Sequence, residues 1–206
     1  MKAIILAGGK GSRLNPITKG VNKHLIPIFD KPMIFYPIST LMLAGIREIL
    51  LIVNEEDLKQ YTTLLGNGSS LGIRIEFLIQ EKPEGLPQAF VLAEKFIGRD
   101  SVTLILGDNI FYGQGVYDMI QKSIKSNLGA TYFSIKVNDP KNFGVINIED
   151  NKIVSFEEKP KNPKSNLASV GLYIFNNSVI KHSKSLKKSL RGEYEMKDLF
   201  DLYLNS

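Results

Sequence analysis

Glycines and cations crowd into Gly8-Gly9-Lys10-Gly11-Ser12-Arg13-Leu14, directly after a short apolar run, Lys2–Leu6. Glycine lets a backbone come close to a ligand, and successive N–H groups can cradle phosphate oxygens. Arg13 can add a bidentate charge contact. Lys23, in Asn22-Lys23-His24-Leu25-Ile26-Pro27, supplies a second cation that brackets the loop. Two familiar phosphate motifs do not fit. The dinucleotide fingerprint G-x-G-x-x-G needs glycine where Leu14 stands, and the G-K-[ST] that ends a P-loop occurs nowhere. A tight turn without a ligand satisfies the same residues. The loop's position after the first strand, where open α/β sheets bind ligands, favours the cradle.

Three further positions have useful chemistry. Asp108 sits in Gly107-Asp108-Asn109 after an apolar run. A carboxylate there suits Mg²⁺, which takes one or two carboxylates plus phosphate oxygens. The same turn suits an Asx-turn or helix cap. Gln80 offers an amide that can donate and accept at once, and is equally at home as a polar strand end. Glu157-Glu158-Lys159 reads on its own as a charged strand end.

Composition removes whole classes of site. There is no cysteine, hence no disulfide, thiolate metal site or Cys nucleophile. Two histidines, His24 and His182, lie too far apart in sequence to suggest a zinc site. No apolar run reaches the roughly 18 residues of a membrane span. The N-terminus enters a strand at once, without a charged leader and cleavage site, so a cytoplasmic location is expected. With 206 residues and 43% hydrophobic content, one sizeable core and one domain over 1–206 are expected. The net charge of +5 suits phosphate handling but is common elsewhere.

The elements that must position these residues follow from periodicity. Lys2–Leu6, Glu48–Val53 and Val102–Leu106 are continuous apolar runs, as buried strands are. Arg74–Ile79 alternates as a strand. Asp30 and Pro32 read as helix start signals, with Ile34, Ile38, Leu41 and Met42 at helical spacing and Gly45 as the stop. Further helices are predicted over 58–65, 88–97, 179–188 and 196–204. Strands are predicted over 131–137, 144–148, 153–157 and 167–175, with Glu149-Asp150-Asn151 as a hairpin turn. Alternation of strands and helices predicts an α/β fold: a mixed, mainly parallel Rossmann-like sheet with helices on both faces. Lys181, Lys184, Lys187, Lys188 and Arg191 read as a solvated helix face. No aromatic residues interleave for base stacking, so no nucleic acid is expected. Tyr194, Phe200 and Tyr203 read as core.

Seven ordered segments carry a resemblance: AIILAGGKGSRLNPIT, NKHLIPIFDKPMIFYPISTLMLAGI, IQEKPEGLPQAF, LGDNIFYG, NDPKNFGVI, EEKPKNPKSN and RGEYEMKDL. In this order, over essentially the whole chain, they resemble the glucose-1-phosphate thymidylyltransferases of the sugar nucleotidyltransferase family. The resemblance implies a nucleotide-diphospho-sugar transferase fold. It also implies an Mg²⁺-assisted, in-line reaction between dTTP and glucose 1-phosphate that yields dTDP-glucose and pyrophosphate. Leu6, Gly8, Gly9, Gly11 and Arg13 match the nucleotide and triphosphate segment, and Lys23 a phosphate-contacting lysine. Gln80 and Gly85 match the positions that read the thymine base, and Asp108 the metal ligand. Gly144, Glu158 and Lys159 match contacts to the glucose hydroxyls and the sugar phosphate. The implied catalytic residues are Arg13, Lys23 and Lys159. A homo-oligomer is also implied; no membrane partner is.

This chain departs from the family pattern in places. The family continues into a Gly-x-x-Trp-x-Asp-x-Gly-Thr segment whose Asp is a second magnesium ligand, and no Trp occurs here. Glu193 and Glu195 are carboxylates that could complete a metal site. Phe143 stands where relatives often carry Tyr, and Ser169-Val170 precede Gly171. Two other readings remain open from sequence: uridylyl transfer from UTP, and a catalytically weak nucleotide-sugar binding module.

Overall fold

A computed structural model describes residues 1–126, 129–150 and 152–205. The chain opens with β1 (Lys2–Leu6), makes three short 3₁₀ turns and forms a small hairpin, β2 (Pro27–Ile28) and β3 (Lys31–Pro32). Helix α1 (Phe35–Leu43) leads to β4 (Glu48–Val53), α2 (Leu58–Leu65) and β5 (Arg74–Ile79). Helices α3 (Gln88–Leu92) and α4 (Glu94–Ile97) precede β6 (Val102–Leu106), and α5 (Val116–Ser126) precedes β7 (Ala130–Lys136). Strands β8 (Gly144–Glu149), β9 (Lys152–Glu158) and β10 (Leu167–Phe175) follow, then α6 (Val179–Ser185) and α7 (Met196–Leu204).

The main sheet runs β5-β4-β1-β6-β10-β8-β9, with β7 also paired to β10. Strands β5, β4, β1 and β6 are parallel, while β10 is antiparallel to β6, β7 and β8. The sheet is therefore mixed, with a parallel half and an antiparallel half. Because strand side chains alternate in direction, the continuous apolar runs feed two cores. Ala3, Ile5, Ile49, Leu51 and Ile105 face Ile38 and Leu41 of α1, Tyr61 and Leu65 of α2, and Ile120 of α5. Ile4, Leu50, Ile52 and Leu104 face Phe90, Ile97, Val179, Leu199 and Phe200 on the other side. Full burial of each large aliphatic side chain contributes about 1.5–3 kcal/mol, so both helix layers are firmly held.

Three expectations are corrected. Asp30 and Pro32 do not start a helix: the chain turns back, with Met33 N–H donating to Ile26 O and Ile34 N–H to His24 O, and α1 begins at Phe35. The predicted 88–97 helix is interrupted at Ala93, whose φ and ψ of −84° and 7° are not helical. The predicted 179–188 helix ends at Ser185, because Leu186 is extended at ψ 150°. Lys187, Lys188 and Arg191 therefore leave the helix, and the solvated helix face predicted for them does not form. Gly45 does end α1, with φ 88°. Of the predicted turn 149–151, Glu149 pairs with Lys152 and Asp150 has φ 47°, while Asn151 lies outside the described residues.

One α-helix was not anticipated. Helix α5 buries only Ile120 fully, with Val116 and Ile124 partly buried against the same core. Their i, i+4, i+8 spacing is the signal that sequence reading passed over.

Candidate active site

The parallel strands all end toward one side, and their connections shape a cleft of about 1020 Å³. Three bonds extend the sheet ladder into these loops: Ala7 N–H to Ile52 O, Gln80 N–H to Val53 O, and Gly107 N–H to Leu6 O. Crevices at the carboxyl ends of parallel strands are where such sheets bind ligands.

The glycine loop is held by its carbonyls. Ala7 O accepts from Asn22 Nδ2 at 3.3 Å and from Tyr61 OH at 3.2 Å. Gly8 O accepts from Asn54 Nδ2 at 2.7 Å, and Gly11 O from Thr18 Oγ1 at 2.9 Å. The N–H groups of Gly8, Gly9, Lys10 and Gly11 make no hydrogen bond among the described residues. A backbone tied down by its acceptors, with its donors unused, is suited to an anion. Gly11 needs to be glycine: its φ is 61°, and a Cβ would lie 2.9 Å from Lys23 Cβ.

Behind the loop lies a buried polar cluster. Asn22 Nδ2 donates to Asp57 Oδ2 at 2.6 Å, and Asn54 Nδ2 donates to the same oxygen at 3.3 Å. Asn22 Oδ1 accepts from His24 N–H at 3.0 Å and from Tyr61 OH at 3.1 Å, and lies 2.7 Å from His24 Nδ1. The oxygen cannot donate, so Nδ1 carries the His24 proton. Burial, then the charge of Lys23, lowers the His24 pKa to about 4, and the ring is neutral near pH 7.

Lys23 Nζ reaches Asp108 Oδ2 at 2.5 Å across the cleft floor. Burial opposes the Asp108 charge, yet the Lys23 hydrogen bond and charge outweigh it and hold the carboxyl below its usual range. Asp108 therefore presents an ionised carboxylate beside the glycine loop. Among the described residues no group of three or more His, Asp or Glu side chains is arranged to hold a metal ion. Glu193 and Glu195 line the same cleft, but Glu195 is engaged by Arg191 Nη2 at 2.7 Å and Ser189 Oγ at 2.7 Å. A single carboxylate beside a phosphate cradle fits an ion that arrives with its phosphate oxygens, as Mg²⁺ commonly does.

One end of the cleft carries Gln80 and Gly85. Gln80 is buried, and its Nε2 donates to Gln88 Oε1 at 2.6 Å. Gly85 has φ 101°, and a Cβ there would collide with the Tyr194 carbonyl oxygen. That close approach comes with Tyr194 N–H donating to Glu84 O at 2.7 Å. The segment before α7 is thereby laid over the cleft as a wall.

The antiparallel half supplies Glu158 and Lys159 at the end of β9. Lys159 holds φ 44°, uncommon for a residue with a side chain, and its N–H donates to Phe143 O at 3.0 Å. Its ammonium lies 3.7 Å from Glu158 Oε1, on a side chain that is about half exposed. Burial raises the Glu158 pKa above its ordinary value, with the Lys159 charge opposing.

Leu6, Gly8, Gly9, Lys23, Gln80, Gly85, Asp108, Glu158 and Lys159 thus line one cleft. Three residues named from sequence do not line it. Gly11 props the Lys23 stem, and Arg13 sits exposed in the Ser12–Leu14 turn just beyond the loop. Gly144 is paired with Glu158 in the β8–β9 ladder, with the Phe156 ring filling the space a side chain would need. Sequence reading missed His24 and Arg191 as cleft residues, and it placed Tyr194 in the core although it lines the wall. Phe200 is core as expected. Asn22, Asp57 and Tyr61 are joined across 35 to 39 residues of sequence, which no local motif reveals.

An open α/β sheet, a glycine turn with unused N–H groups after its first strand, and paired cations and carboxylates around it define a phosphate-binding enzyme of the nucleotide class. The model of the nucleotidyl transferase family matches residues 2–206, and the chain belongs to that family. It is 52% identical over 205 residues to the glucose-1-phosphate thymidylyltransferase of Neisseria meningitidis, covering 99% of this chain and 71% of that protein. The namesake from Mycobacterium tuberculosis is 49% identical, over all of this chain and 71% of its own length. Among solved structures, one described as a glucose-1-phosphate thymidylyltransferase of Bacillus anthracis superposes with a TM-score of 0.92 at 41% identity. That match covers all of this chain and 83% of that one. A UDP-glucose pyrophosphorylase shares the fold with a TM-score of 0.84 at 23% identity.

Proposed function

We propose that the chain transfers a thymidylyl group from dTTP to glucose 1-phosphate, giving dTDP-glucose and pyrophosphate. Whole-chain relatives of that name, at about half identity, support the reading. The observation that carries it is the shared cleft: a phosphate cradle with Lys23 and Asp108, an amide at one end, and a carboxylate with a lysine at the other. The likeness to UDP-glucose pyrophosphorylase is one of fold, and neither uridylyl transfer nor a purely binding role is favoured.

In this reading the base lies at Gln80 and Gly85, with Leu6 beside it. The triphosphate lies on the N–H groups of 8–11, with Lys23 against it and Arg13 swinging in from the adjoining turn. The sugar lies near Gly144 and Glu158, and Lys159 holds its phosphate. A phosphate oxygen of glucose 1-phosphate attacks the α-phosphorus of dTTP. The new P–O bond forms as the bond to the bridging oxygen breaks, and pyrophosphate leaves with that electron pair. The nucleophile is already an anion, so no general base is needed. Positioning and charge neutralisation supply the acceleration. Asp108 would hold Mg²⁺, which supplies charge neutralisation on the phosphate oxygens when bound. The substrates are small and water-soluble, in keeping with a cytoplasmic enzyme of dTDP-sugar biosynthesis that acts as one domain over 1–206 and assembles as a homo-oligomer. Among the described residues no helix is long and apolar enough to cross a membrane.

The test is pyrophosphate release with glucose 1-phosphate and either dTTP or UTP, in Mg²⁺ buffer. Turnover that favours dTTP is expected. Turnover only with UTP, or none with either triphosphate, would overturn the reading.

A further inference from the structure

A glutamine amide has two ends of nearly the same shape and opposite hydrogen bonding. Which end Gln80 turns toward the cleft decides which pyrimidine edge it can read. Its Nε2 donates to Gln88 Oε1 at 2.6 Å. That same Gln88 oxygen accepts from the backbone N–H of Glu84 at 3.0 Å. The other end of Gln88, Nε2, donates to Glu84 Oε2 at 3.2 Å, and Lys188 Nζ holds Glu84 Oε1 at 2.5 Å. The chain of bonds is anchored at a group that cannot invert, because a peptide N–H only donates. Turning Gln88 over would set its amino group against that N–H and its carbonyl against the Glu84 carboxylate. Turning Gln80 over would set two carbonyl oxygens 2.6 Å apart. Gln80 Oε1 has no bonding partner among the described residues, is not a sealed orphan, and belongs to a side chain that lines the cleft.

We propose that Gln88 is the positioning residue for base choice: it locks Gln80 with its carbonyl oxygen toward the cleft. The site then takes pyrimidines that carry an N3–H, thymine or uracil, and rejects cytosine. Thymine and uracil offer an N3–H to that oxygen. Cytosine offers a bare N3 lone pair there and would need the amide reversed. The inference rests on the reading that places the base at Gln80. Gln88 itself does not line the cleft, so it acts through Gln80.

Calorimetric titration of the whole chain with dTTP and with dCTP, in Mg²⁺ buffer, tests it. The native chain is expected to bind dTTP at least about tenfold more tightly than dCTP, as one good base contact provides. Gln88→Met removes the lock while keeping the volume. It is expected to narrow the dTTP/dCTP ratio by about five- to tenfold, the worth of one net hydrogen bond. Glucose 1-phosphate affinity is expected to hold, which a general loss of structure would not allow. Should Gln88→Met fail to fold, Gln88→Asn keeps the amide, withdraws it by one methylene, and predicts the same narrowing. An unchanged ratio in a folded variant, or no preference in the native chain, would overturn the proposal. Pyrophosphate release measured alongside separates the two readings: a native preference for dTTP that narrows in the variant, with no transfer by the native chain, removes the transferase and leaves the lock standing.

Discussion

Two parts of the cleft, the glycine loop and the Lys159 side, are built differently. Around the glycine loop, side chains from β1 onward, β4 and α2 converge on a buried network of Asn22, His24, Asn54, Asp57 and Tyr61, and each carbonyl of the loop that they touch is fixed. On the Lys159 side, Lys159 pairs with Glu158 and Arg191 pairs with Glu195, partly exposed ion pairs carried on loops and strand ends. Buried, fully bonded groups hold geometry; exposed pairs contribute little stability and adjust easily. The glycine loop is thus held by buried bonds, while the Lys159 side rests on pairs that adjust easily.

The largest separation of the two parts should come from Lys159→Ala. It is expected to cut kcat/KM for glucose 1-phosphate by about a hundredfold, the usual cost of losing an electrostatic contact in the transition state. Calorimetric binding of dTTP should barely move. Equal losses for both substrates would remove Lys159 from the sugar-phosphate side.

The next effect is on stability. Asn22→Ala strips partners from Asp57, His24 and Tyr61 at once and is expected to cost about 2–3 kcal/mol in urea denaturation. Arg191→Ala breaks an exposed pair with Glu195 and is expected to cost no more than about 1 kcal/mol. Similar costs for the two variants would erase the contrast drawn above.

The smallest effect is an opposition of sign in pH dependence. His24 has a folded-state pKa of about 4 against an ordinary 6.5, so the unfolded chain binds more protons between those values. Stability therefore rises with pH through that window and is lost as pH falls from 6.5 toward 4. His24→Gln should flatten this part of the curve. Glu158 is raised above its usual value by burial, so its ionisation costs stability as pH rises from its ordinary value of 4.5. Glu158→Gln should remove that opposing slope. Equilibrium unfolding across pH 4–7 reads both.

The same contrast explains what the sequence revealed. Strands β1, β4 and β6 were legible because strands buried on both faces are continuous apolar runs. Gly8, Gly9 and Asp108 were legible as cleft residues because they follow those strands directly. The hairpin of 27–32 was misread because Asp30 and Pro32 suit a turn as well as a helix start, and only the return bonds to His24 and Ile26 decide. The supporting network was hidden because its members are brought together by tertiary packing alone. Arg191 was hidden because it was read with the lysines as a solvated helix face, whereas the helix stops at Ser185.

A crystal structure of the chain with dTDP-glucose bears most directly on the central claim that two anionic substrates meet in this one cleft. Expected is the thymine N3–H on Gln80 Oε1, the diphosphate over residues 8–11 near Lys23, and the glucose between Glu158 and Lys159. A product bound with its diphosphate away from the glycine loop, or with its sugar on the far side from Lys159, would contradict it.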